Sequence, residues 1–304
     1  MSVTAAAAAR AARETVLLVE AQDRSAILVT GKDRISWLNG LVTCELAKLS
    51  PGEAAYGLLV EKKGRIQTDL FVLPSASGDA TLALAVPASL RETLLTTLDH
   101  YLIMEDAELA VADMVFVFAH GPRAAELAGL APFAGTVDLL GTGGIVLGGP
   151  AADKDALATR LAEAVSRLGG VVAEDAVWEE VRIAHGLPRF GAEVDATLYP
   201  QEASLEKLAV SFSKGCYLGQ EVVYMLQERG HVKRKLVSLD LNVAGEVPTA
   251  GAPVTTPSGE AVGDVRSAVN GPSSGKPAAI AMVKWAFAKP GTELRVADLA
   301  ARVR

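Results

Sequence analysis

Cysteine is nearly absent from this chain of 304 residues. Cys44 and Cys216 are the whole supply. Two thiols cannot by themselves ligate an iron–sulfur cluster or a structural zinc, each of which takes four protein ligands, so no metal site is expected. Nothing in this usage calls for an oxidising compartment. Positive charge is also short, with 29 Lys and Arg against 36 Asp and Glu, a net charge of −7 and a pI near 5.3. That balance excludes broad electrostatic affinity for a polynucleotide backbone, and no direct nucleic-acid binding is expected. No stretch approaches 18 uninterrupted apolar residues, and the Ala5–Ala9 tract with Arg10 and Arg13 lacks the apolar core of a signal peptide, so a cytoplasmic protein with no membrane partner is expected. Histidine is limited to His100, His120, His185 and His231.

What is present suits an ordinary globular protein, 50% hydrophobic and 21% charged, of a size for two or three modest domains. Ala26–Thr30 reads as a strand and residues 33–39 as a short helix with Asp33 as cap and Gly40 as stop. Residues 54–60 and 65–73 read as a hairpin around Glu61-Lys62-Lys63-Gly64, followed by a strand at 81–86 and a helix near 89–103. A second α+β series begins with a strand at 114–119. It continues with helices near 123–127 and 153–168 and a strand at 144–147, an order that hints at internal duplication. Residues 174–185 read as a helix, and the Pro- and Gly-bearing stretch 186–205 as a long ordered loop of the kind that usually carries function. From Lys235 onward, short apolar runs separated by Pro and Gly turns suggest a small antiparallel barrel. The expected division is 1–110, 111–232 and 233–304.

The run Lys214-Gly215-Cys216-Tyr217-Leu218-Gly219-Gln220-Glu221 places a cysteine just upstream of a helix expected over 220–229. A helix start carries about half a positive charge, and Lys214 adds a full one, an arrangement that favours thiolate. The alternative is that Cys216 is a small core residue, as free cysteines usually are. A Cys–His hydrolase is disfavoured, because His231 lies past the far end of that helix, on the order of 15 Å from Cys216, which leaves His185 as the remaining candidate base. The cluster Arg229, His231, Lys233, Arg234 and Lys235 reads either as a site for an anionic ligand tail or as a solvated strand entry. Asp69 shares a strand face with Gln67 and Phe71, where a carboxylate needs a partner. Two glycine-bearing runs are set aside as catalytic motifs. Gly271-Pro272-Ser273-Ser274-Gly275-Lys276-Pro277 resembles a phosphate loop but is one residue short and has Pro in place of the magnesium-binding Ser or Thr, so it reads as a barrel turn. Gly141-Thr142-Gly143-Gly144 lacks dinucleotide-fingerprint spacing and reads as a link between strands. Cys44 reads as core.

The run KGCYLGQE, together with Val29–Leu73, Arg182–Glu221 and GDVRSAV (Gly263–Val269), resembles the YgfZ-like folate-binding proteins, relatives of the aminomethyltransferase (T-protein) of the glycine cleavage system. The resemblance implies an α+β fold of two domains with antiparallel sheets plus a C-terminal barrel, arranged around a central cleft. It implies tetrahydrofolate, or a one-carbon-substituted folate, as ligand. It also implies a role beside iron–sulfur enzymes, including radical enzymes that modify tRNA, with those enzymes or their assembly proteins as partners. On this reading Cys216 is a redox-active thiol or a transient sulfur or metal contact at the mouth of the folate site, Lys214 favours its thiolate, and Tyr217, Gln220 and Glu221 contribute to the turn and the ligand. Trp178 matches a tryptophan linked to folate, Arg24 stands where a second is found, and Arg229 is a further candidate contact. Two departures count against turnover as an aminomethyltransferase: Thr68 replaces the first of a pair of acidic residues, leaving Asp69, and Ala184 replaces a pterin-reading glutamate. The rivals are a one-carbon transferase and a scaffold that has lost folate.

Overall fold

The computed structural model describes residues 3–21, 23–50, 52–228, 230–241, 246–272 and 275–304. In chain order the elements are α1 (Ala5–Glu14), β1 (Leu17–Glu20), β2 (Arg24–Thr30), α2 (Arg34–Asn39), β3 (Ala55–Val60), β4 (Ile66–Pro74), β5 (Leu82–Pro87), α3 (Arg91–His100) and β6 (Glu108–Ala112). They continue with β7 (Met114–His120), β8 (Phe133–Thr136), β9 (Gly144–Pro150), α4 (Lys154–Arg167), β10 (Val171–Ala173), α5 (Asp175–His185), α6 (Glu206–Ala209) and α7 (Gln220–Glu228). The last part of the chain holds β11 (Arg234–Leu241), β12 (Pro253–Thr255), β13 (Ala261–Asn270), β14 (Pro277–Lys284), β15 (Glu293–Val296) and β16 (Leu299–Val303).

Two five-stranded sheets form, in the orders β3-β4-β5-β2-β6 and β10-β1-β7-β9-β8, and β11 to β16 close into a six-stranded barrel. The pairs are antiparallel except β1 with β10. Strands β3 and β5 are buried at every position, as their unbroken apolar sequence requires. The expected cut near residue 110 does not separate the sheets. The chain enters through α1 and β1, and β1 lies between β10 and β7 in the second sheet. Its burial there of Leu17, Leu18 and Val19 explains the placement, since the first sheet is already complete without it. The Ala-rich start is α1, whose Ala8, Ala9, Ala11 and Ala12 pack inward and let α5 approach closely. The expected helix near 123–127 is a 3₁₀ segment, Ala124–Leu130.

The two sheets join at their edges. Glu53, just ahead of β3, bridges Thr136 of β8, the Ala54 amide donates to the Thr136 carbonyl at 3.0 Å, and Ser75 bridges Phe133. A Cβ at Gly135 would lie 2.6 Å from both the Ala54 Cβ and its amide nitrogen, so only glycine permits this approach. Gly135→Val is expected to lower stability by about 1–3 kcal/mol through overpacking at this junction, read as a lower denaturant midpoint.

Candidate functional site

A cleft of about 610 Å³, counting its open mouth, lies where β1, β2, β4, β7 and α5 converge. Its apolar walls are largely aromatic. Tyr56 and Phe71 lie with centroids 4.7 Å apart, and Phe118 meets Phe71 edge-on at 4.9 Å. Trp178 lines the opposite side, braced from behind by His120, with rings 4.4 Å apart and 4° from parallel.

His120 is 1% exposed, and neither ring nitrogen has a hydrogen-bond partner among the described residues. Burial pushes its pKa down to about 4, outweighing the pull of Asp138. It is therefore a neutral slab that fixes the plane of the indole. Unfolding returns it to an ordinary value near 6.5, so the unfolded chain binds the extra proton between pH 4 and 6.5. Stability is expected to be complete above pH 6.5 and to fall as the pH drops toward 4, by on the order of 3 kcal/mol from this residue. His120→Phe should flatten that part of a pH-denaturation profile; an unchanged slope would show that other groups set it.

Asp69 is 2% exposed at the floor of the cleft. Both its oxygens are taken by the Arg24 guanidinium, at 2.9 and 2.8 Å, and the Tyr56 hydroxyl donates to one of them at 3.2 Å. Burial works against the charge on Arg24, yet Asp69 holds its pKa above the ordinary value, while burial and Asp69 raise that of Tyr56. A buried charge of either sign needs such a partner. Arg24 is consequently not available to a glutamate tail, and Asp69 is not a free base. Five other charged groups line the cleft, of which Glu20 pairs with Lys154 and Arg182 with Glu179 and Glu193. Asp175, at the first turn of α5, has no ion pair among the described residues, and partial burial pushes its carboxyl up. Asp23 reaches Arg24 and Arg189 only at 3.8 and 3.9 Å, and Arg189 lies 3.4 Å from Glu179.

The residues expected to act together fall into two places. Arg24, Asp69 and Trp178 line the cleft; Lys214, Cys216, Tyr217, Gln220 and Glu221 do not. Cys216 is thus not among the residues that line this cleft. Cys216 is exposed, four residues ahead of α7. Lys214 is buried and turned inward, where its ammonium donates to the carbonyls of Asn39, Val42 and Cys44 at 2.7, 2.8 and 2.6 Å. It thus caps the end of α2. Desolvation lowers its pKa. Tyr217 is buried beneath it, ring centroid 5.3 Å from the ammonium, and burial pushes its hydroxyl up to about 12. The Gln220 amide reaches the Gly215 carbonyl at 3.5 Å, and Glu221 is exposed. Gly219, at φ +76°, sits against the Glu61 carbonyl, which fixes the motif to the turn of the β3–β4 hairpin.

Arg229 lies outside the described residues. Of its basic neighbours, Lys235 bonds Glu206 at 2.6 Å and Arg234 lies 3.4 Å from Glu202, so part of that cluster is neutralised on the loop acids. Cys44 is core, with burial pushing its pKa up to about 12. Among the described residues no group of three or more His, Cys, Asp or Glu could hold a metal, and no helix is long and apolar enough to cross a membrane. Phe118 escaped the sequence reading, and His120 and Arg182 entered it only as one of four histidines and as the head of a family-like segment, without the roles they take here.

The GCVT N-terminal domain matches residues 1–139, and the glycine cleavage T-protein C-terminal barrel domain matches residues 234–304. A protein of Vibrio vulnificus (strain CMCP6) named tRNA-modifying protein YgfZ is 30% identical over 235 residues, covering 73% of this chain and 69% of the relative. The chain belongs to this T-protein and YgfZ-related family. An aminomethyltransferase of Herpetosiphon aurantiacus is 27% identical over 310 residues, covering 94% of this chain and 84% of that one. The crystal structure of glycine cleavage system aminomethyltransferase T from Bartonella henselae superposes with a TM-score of 0.81 over 99% of this chain and 88% of its own, at 21% identity, which establishes the shared fold.

Lys214→Met is expected to cost about 2–4 kcal/mol by leaving three carbonyls without their charged donor. The alkylation rate of Cys216 in the folded variant should match wild type, because the ammonium is engaged elsewhere. A marked slowing would restore Lys214 as an activator of the thiol.

Proposed function

We propose that this chain is a tetrahydrofolate-binding accessory protein of the YgfZ type, serving iron–sulfur enzymes that modify tRNA rather than turning over an aminomethyl donor. The observation that carries the ligand is the cleft itself. Trp178, Phe118, Phe71 and Tyr56 supply flat apolar surface for a fused ring, and ring stacking of this kind contributes beyond the area it buries. Asp175 offers an acceptor for ring N–H groups, and Arg189 a cation for a carboxylate tail. When bound, the folate would supply one-carbon chemistry, while this chain's residues bind and orient it. The bidentate Arg24–Asp69 pair supports the non-transferase reading, since the one acid left in that segment is already neutralised. Relatives named for tRNA modification support the choice of client.

Calorimetric titration of tetrahydrofolate should give saturable binding to wild type, weakened at least about tenfold in Trp178→Ala. Absence of binding to wild type would favour a folate-free scaffold, and turnover of an aminomethyl donor would favour the transferase. Cys216→Ala should fold with an unchanged thermal midpoint, because the exposed side chain packs against little, and lose activity in support of a client enzyme. Full support by that variant would discard a role for the thiol.

A further inference from the structure

The two open sheets have four edges, and three of them are closed or short. Along β3, the Thr43 amide donates to the Leu58 carbonyl at 2.9 Å and the Thr43 hydroxyl accepts the Leu58 amide at 2.8 Å. Along β8, Thr136 exchanges hydrogen bonds with Gly52 and Ala54. Strand β10 is only three residues long. The fourth edge is β6, which pairs in register with β2 on one side. Among the described residues no backbone hydrogen bond outside that ladder reaches positions 108–112. An antiparallel edge strand turns the amides and carbonyls of alternate residues outward. Within β6 there is no proline, lysine or bulge to guard them. The turn that leads into the strand has a set shape. The Glu105 carboxylate accepts the amides of Ile103 and Met104 at 3.1 and 3.0 Å, and the Asp106 amide donates to Asp33 at 2.9 Å. The turn so held presents Ile103, 82% exposed, and Met104, 91% exposed, the two most exposed large hydrophobic residues described. Val111, which shares a strand face with Leu109, is 41% exposed.

We propose that this edge is a docking site for an extended, basic peptide segment of a partner protein, added as a strand beside β6 and packed against the Ile103–Met104 turn. Main-chain hydrogen bonds would supply affinity, and alternate side chains meeting Val111 and the turn would supply selectivity. Charge complementarity selects the occupant. Glu108 opens the strand and Asp113 follows its last residue; both are exposed, and neither forms an ion pair among the described residues. The cations nearby are engaged elsewhere. Lys32 pairs with Asp106 and Arg91 with Glu92, each at 3.0 Å, Lys154 pairs with Glu20, and Arg34 donates to the Gly31 carbonyl at 3.0 Å. A second copy fits poorly. Antiparallel pairing of two β6 edges centred on Ala110 would set Glu108 of each copy near Asp113 of the other, and parallel pairing would set Glu108 beside Glu108, where like charges repel. The same acids disfavour nucleic acid and an anionic membrane surface. They favour lysine or arginine at both ends of the added strand, with β-branched or other apolar residues between.

The test selects binders of the full chain from a displayed library of random nonapeptides and maps a synthesised winner by amide NMR. Convergence on peptides with apolar residues between lysines or arginines is expected, with saturable shifts confined to β6 and the turn before it, and slowed hydrogen exchange of β6 amides. The combined variant Ile103→Ser, Met104→Ser should keep the thermal midpoint, since both side chains lie in solvent, and weaken peptide binding at least about tenfold. Glu108→Lys, also at an exposed position, should weaken it about fivefold. A selection without convergence overturns the assignment, as do winners that lack basic residues, map to another face, or bind both variants as tightly as wild type. Concentration-dependent dimerisation of the wild type through β6, seen by sedimentation and altered in Glu108→Lys, would make the occupant a second copy and overturn it too.

Discussion

The arrangement of the molecule depends on one buried guanidinium. Arg182 is 1% exposed, yet its head is enclosed by Glu179 and Glu193, and it also donates to the Leu187 carbonyl at 3.1 Å. Burial opposes its charge, and the two carboxylates hold its pKa above the ordinary value. Glu193 in turn accepts the Arg189 amide at 2.9 Å and the Ser267 hydroxyl of β13. One residue therefore binds α5 to the long loop after it and to the barrel. Removing one partner from a buried ionic set of this kind costs about 3–5 kcal/mol, because the others stay buried without it. The rotation of α5 is fixed as a result, and that rotation decides which of its side chains enter which cavity.

In the cleft the buried cations are matched, Arg24 by Asp69 and Arg182 by Glu179 and Glu193, while Arg189 reaches Glu179 only at 3.4 Å. What is left over is aromatic surface, the carboxylate of Asp175 and the Arg189 guanidinium, a combination suited to a flat ligand with N–H groups at its edge and an acidic tail. Across α5 a second cavity is lined by Val181, Ala184 and His185 of the same helix. Helical geometry makes this possible, since residues four apart share a face, Trp178 with Arg182 on one side and Val181 with His185 on the other.

Hydrophobic periodicity sufficed for the central strands, the β3–β4 hairpin, α5, α7 and the barrel, where apolar runs bounded by Gly and Pro leave few alternatives. It failed for β1, a strand of four residues whose partner strands come about 100 and 150 residues later, because sheet membership is a long-range property no local pattern encodes. It failed in another way at Arg24. The resemblance implies Arg24 as a ligand contact, and only the sheet order, which sets one strand between β4 and β2, reveals Asp69 as its partner. The role of His120 was equally hidden, since nothing in the sequence around it indicates that an imidazole will be buried between Trp178 and Phe118.

Lys214 shows most directly how a motif can be read correctly in position and incorrectly in direction. A lysine two residues from a cysteine suggests an electrostatic activator, but its four-carbon stem is long enough to carry the ammonium under the end of α2, where three carbonyls lacked donors. Tyr217 is buried in the core and Gly219 is pressed onto the hairpin turn. Three of the eight motif residues are thus structural, and they hold the intervening segment in a set shape. Cys216 and Glu221 are what that shape turns outward, next to a helix whose Tyr224 and Met225 remain 46% and 47% exposed. Buried residues of the motif thus act as a pedestal, and chemistry assigned to it must come from the thiol and the apolar surface beside it, approached from solvent and not from the cleft.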